Sequence, residues 1–63
     1  MRVGDLVVHR EAWKGYLFVI TEIVQATDMC RCAIVRSSEP TRGYEVGHII
    51  RWKPLDEFTL YKK

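Results

Sequence analysis

Sixty-three residues hold one domain, and a chain this short buries only about 60% of the surface its unfolded form exposes. Hydrophobic residues make up 48%, with two Trp, three Tyr and two Phe, which excludes the aromatic-poor composition of disordered chains. Ten Lys and Arg against eight Asp and Glu give +2; the pI of 8.7 lies just below the value of about 9 that marks dedicated nucleic-acid binders.

Taken in order, the chain predicts five short β-rich runs at residues 3–9, 16–24, 29–36, 48–53 and 58–61, and no α-helix. Val3-Gly4-Asp5-Leu6-Val7-Val8 opens the domain, with Gly-Asp as a turn feeding a β-branched run. Leu6 and Val8 share one strand face and Val7 and His9 the other. Residues 10–15 read as a loop closed by Gly15. The run from Tyr16 to Val24 is apolar on both faces, which predicts a bent central strand with a bulge near Thr21-Glu22. Gln25-Ala26-Thr27-Asp28 connects it to the third run, where Cys30, Cys32 and Ile34 alternate with Met29, Arg31, Ala33 and Val35.

Residues 37–47 exceed the usual hairpin loop of about 2–5 residues, and long loops on a small rigid scaffold are frequent binding elements. The fourth run puts Ile50 and Trp52 on one face. Pro54-Leu55-Asp56-Glu57 suits one 3₁₀ turn, because proline pre-sets the first helical position and acids favour the first turn. Leu6, Val8, Ile20, Ile34, Ile50, Leu55 and Phe58 are the expected core, with Trp52 beside them.

This order, together with the opening Val3-Gly4-Asp5-Leu6-Val7-Val8 and the closing Trp52-Lys53-Pro54-Leu55-Asp56-Glu57-Phe58-Thr59-Leu60, resembles the SH3-like barrel superfamily, which includes KOW, Tudor and chromo-type modules. It is also similar to small uncharacterised SH3-like proteins encoded by bacteriophages. The resemblance spans nearly the whole chain and implies an all-β, five-stranded SH3-like barrel with a short 3₁₀ turn before the last strand. It departs from the KOW pattern, which has a glycine where this chain runs Tyr16-Leu17-Phe18-Val19. Members of the superfamily bind RNA, methylated or proline-rich peptides, or neighbouring subunits.

Cys30-Arg31-Cys32 is the sharpest chemical pattern. Same-face strand positions lie roughly 6.5–7 Å apart, at the limit for a disulfide, so two reduced, packed thiols are expected. The alternative is a metal site of Cys30, Cys32, His9 and His48, a donor set that zinc accepts. A nucleophilic Cys needs a base and an orienting group; no orienting acid is identifiable, so a non-catalytic protein without a cofactor is expected.

Two surfaces compete for a binding role. Trp13, Tyr16 and Tyr44, with Arg42 in the long loop, form a groove for a partner protein or a stacking platform for bases, unless Trp13 is a lid over the open barrel end. Arg31, Arg42, Arg51 and Lys53 form either a phosphate-binding patch for nucleic acid or a solvated outer face. The N-terminus has no signal-like apolar run and no stretch is long enough to span a membrane. A cytoplasmic or virion-associated protein without membrane contact is therefore expected.

Overall fold

The computed structural model describes residues 1–37 and 44–62. Its strands are β1 (Leu6–His9), β2 (Tyr16–Val24), β3 (Met29–Ser37), β4 (Lys53–Pro54) and β5 (Phe58–Leu60), with one 3₁₀ turn, Leu55–Glu57, between the last two. They form one five-stranded sheet in the order β4-β3-β2-β1-β5, with every pairing antiparallel. The two edge strands are consecutive in the chain and joined only by the three-residue turn, so the sheet must curl to bring its edges near each other. The ladder itself does not close.

The β2–β3 hairpin is the spine. Its loop turns through Asp28, held at φ 53, as expected for an Asp in the left-handed region. The two strands pair from Tyr16↔Ser37 to Val24↔Met29, with register shifts at Leu17/Phe18 and Ile20/Glu22. At the second shift Thr21 is the extra residue, and its Oγ1 donates to the Arg31 carbonyl at 3.1 Å. The inward side chains switch there from Phe18 and Ile20 to Ile23, opposite Cys30. This bulge is how a strand apolar on both faces buries the right half of each.

The core consists of Val7, Tyr16, Phe18, Ile20, Cys30, Cys32, Ile34, Ile50 and Phe58, with Trp13, Ile23 and Leu55 packed against it. Ile20, Ile34, Ile50 and Phe58 are buried as expected, and Leu55 is partly buried. Leu6 and Val8 correct the sequence reading: Val7 is the fully buried residue of β1, while Leu6 is 39% exposed. Antiparallel partners share a face, and β1 pairs Val7 with Phe18 and Leu6 with Val19. Phe18 therefore draws Val7 inward. The first strand is also shorter than expected, because Gly4, at φ 95, belongs to a turn in which the Asp5 N–H donates to the Arg2 carbonyl at 3.0 Å.

Residues 48–53 do not form the regular strand expected of them. His48, Ile49 and Ile50 meet β3 through an isolated Ala33↔Ile49 bridge and the hydrogen bonds Ile34 N–H to His48 O and Ile50 N–H to Cys32 O, both 2.9 Å. Regular pairing resumes only at Cys30↔Lys53. From Ile50 to Lys53 the chain advances three residues while β3 advances two, so one extra residue is accommodated. That slip moves Trp52 out of the expected core. It is 40% exposed, with the Arg31 guanidinium 5.3 Å from its ring centre.

Candidate functional site

The loop between β1 and β2 carries Trp13 at φ 58, a left-handed backbone unusual for a bulky residue. The turn is closed by the Tyr16 N–H donating to the Trp13 carbonyl at 3.0 Å. This geometry lays the indole across the end of the core. Its ring meets Tyr16 edge-on at 5.4 Å, Phe18 at 5.9 Å and Tyr44 at 4.8 Å between centroids. Tyr16 stacks on Phe18 at 6.1 Å and 15°, and His48 closes the series, edge-on to Tyr44 at 5.7 Å. Phe18 is wholly buried, Tyr16 nearly so, Trp13 half-buried, and Tyr44 and His48 exposed. The aromatic chain thus runs from core to surface, and Trp13 is both lid and support: its inner edge covers Phe18 and its outer edge holds Tyr44.

Three of the four residues expected to contact a partner (Trp13, Tyr16 and Tyr44) are brought together here. Arg42 lies outside the described residues, as does most of the 37–47 loop. Tyr16 contributes from beneath, because its side chain belongs to the core.

The basic set is less coherent. Arg31 Nη1 donates to Glu22 Oε1 at 3.1 Å while lying over Trp52. Arg51 is exposed. Lys53 is half-buried and pairs with Cys30, so the one-residue slip puts it on the parity opposite Arg31 rather than beside it.

Of the four candidate metal ligands the two thiols adjoin each other in the core, while each imidazole has its own partners. Cys30 and Cys32 are free, fully buried thiols. Burial raises both pKa values, that of Cys32 from 9.0 to about 12, which keeps them protonated and unreactive. His48 lies against Tyr44, and His9 is bonded to Glu57, its Nε2 lying 2.9 Å from Oε1. Among the described residues no group of three or more His, Cys, Asp or Glu could hold a metal ion.

The sequence reading missed two features. His9 also accepts from the loop backbone, and nothing in the chain marks it as an anchor, because the bond depends on the ring's orientation at the strand end. An open cleft of about 560 Å³ lies beside the 3₁₀ turn, lined by Met1, Arg10, Asp28, Met29, Leu55 and Phe58 among others, where the Leu55 N–H donates to the Asp28 carbonyl at 2.8 Å. No helix among the described residues is long and apolar enough to cross a membrane. Comparison with family models, curated proteins and solved structures gives no match.

Proposed function

We propose that this chain is a non-catalytic SH3-like binding module that docks on a partner protein through Trp13, Tyr44 and the adjoining loop, with Tyr16 supporting them from the core. The curled five-stranded order and the 3₁₀ turn between the edge strands support the barrel reading. The resemblance to small phage-encoded proteins extends it to an accessory protein docking on a larger assembly.

The observation that carries the reading is Tyr44: 38% exposed, yet fixed edge-on against an indole that is itself wedged on the core. Aromatic anchors present large area with few rotatable bonds, so little entropy is lost when they are covered. A surface aromatic held in place before binding reduces that cost further.

The test begins with pull-down from the native source and identification of the bound species by mass spectrometry. Binding is then titrated against salt. An aromatic protein interface responds weakly. A log-log slope near −0.9 per neutralised phosphate would instead assign the function to nucleic acid and to Arg31, Arg51 and Lys53.

A further inference from the structure

The loop that carries Trp13 is held at its start by the Arg10 N–H donating to the Glu57 carbonyl at 2.9 Å, at Trp13 by the indole on the core, and between them by the side chain of His9. Its Nδ1 lies 3.2 Å from the Glu11 N and 3.0 Å from the Ala12 N, and its Nε2 lies 2.9 Å from Glu57 Oε1. The two backbone N–H groups are always donors, so Nδ1 must present its lone pair. Nε2 therefore carries the proton and donates it to the carboxylate. The imidazole is 10% exposed and edge-on to Phe58 at 5.3 Å, so it cannot rotate freely to satisfy both sides in another way.

We propose that His9 is an acid-operated latch: a proton taken up at Nδ1 turns the acceptor for Glu11 and Ala12 into a donor, and the loop over residues 11–15 lets go of the ring and carries Trp13 off the aromatic cluster. A protonated Nδ1 cannot accept the two N–H bonds that define the closed loop, so protonation there and closure exclude one another. The ring itself stays, because the imidazolium now forms a full ion pair with Glu57. Besides Glu57, the charged groups around the ring are Arg10 and Glu11 from the loop and Asp56 from the 3₁₀ turn; of these four, three carboxylates stabilise the protonated ring. The backbone at Trp13 favours release too. A left-handed conformation at a bulky residue persists only while its surroundings hold it, and losing two side-chain-to-backbone bonds shifts such a loop by about tenfold to a hundredfold.

The consequence for docking rests on the function proposed above, but the latch is tested without a partner. In a Trp52→Phe, His48→Gln protein, Trp13 is the sole indole and His9 the sole imidazole. Its emission should shift to the red, reversibly, as pH falls through the range of about 5–8 where histidines change charge, while the far-UV spectrum is unchanged. His9→Asn places a non-titrating oxygen near the Nδ1 position and should abolish the shift; Glu57→Gln should move it to lower pH. An unchanged transition in His9→Asn would overturn the latch, as would constant Trp13 emission across the range. Should His9→Asn fail to fold, the ¹⁵N shifts of the His9 ring in the unsubstituted protein decide. The Nε2–H tautomer at high pH supports the latch and the Nδ1–H tautomer contradicts it.

Discussion

The β2–β3 hairpin and the returning segment from Tyr44 to Pro54 are both made of β-forming residues, yet only the hairpin keeps its pairing from end to end, through two one-residue shifts. Along β2–β3 the partners are close in sequence and the strands stay paired for their whole length. Among the described residues the return from Ile49 onward meets β3 through the Ala33↔Ile49 bridge and a two-residue strand, with a slip between them. The difference lies in what fixes register. A tight loop sets it locally, whereas the return is positioned by Ile50 entering the core and by β4 meeting the foot of the hairpin. A strand fixed at two points can absorb an extra residue between them. Here that residue turns Trp52 outward and reverses Lys53.

Three substitutions sharpen this contrast. Phe18→Ala should cost about 3–5 kcal/mol in urea unfolding, enough to unfold much of a domain this small. Trp52→Ala, in the irregular return, should cost far less, on the order of 1 kcal/mol for an exposed ring and its cation–π contact. A loss equal to that of Phe18→Ala would restore Trp52 to the core and remove the slip. Glu22→Gln should cost only about 0.2–1 kcal/mol, as exposed ion pairs do, and its effect should fade in high salt.

The buried thiols give a pH test of the hairpin's inner face. Each ionises at higher pH in the folded chain than its ordinary value of 9.0, so the folded state holds its protons more tightly. The resulting stability is complete below pH 9.0 and is lost as pH rises toward about 12. Urea midpoints should fall over that range, and Cys32→Ala should flatten the decline relative to its own midpoint at neutral pH. An equal decline in the variant would show that the thiol is not responsible.

Much of the hairpin was legible because its physics is local: the alternation of Cys30, Cys32 and Ile34 with Arg31 and Ala33, the turn at Asp28 and the bulge at Thr21 each follow from residue type and spacing. Leu6-Val7-Val8 was not legible in parity, since three apolar residues in a row fit either face until Phe18 chooses a partner. Trp52 was misplaced for the related reason that regular alternation was carried through a slip. At the candidate site the aromatic residue types pointed to Trp13 and Tyr44. The dual contact of Trp13 and the anchoring by His9 depend on a left-handed residue and a ring orientation that have no sequence signature.

The central claim is that Tyr44, braced by Trp13, meets the partner. Its most direct test is the affinity of Tyr44→Ala for the partner recovered from the native source, measured beside the unsubstituted chain at equal salt. The account predicts a loss of about 2 kcal/mol, roughly thirtyfold in Kd, with the urea midpoint preserved because Tyr44 lies outside the buried core. Undiminished affinity in a folded Tyr44→Ala protein would contradict it.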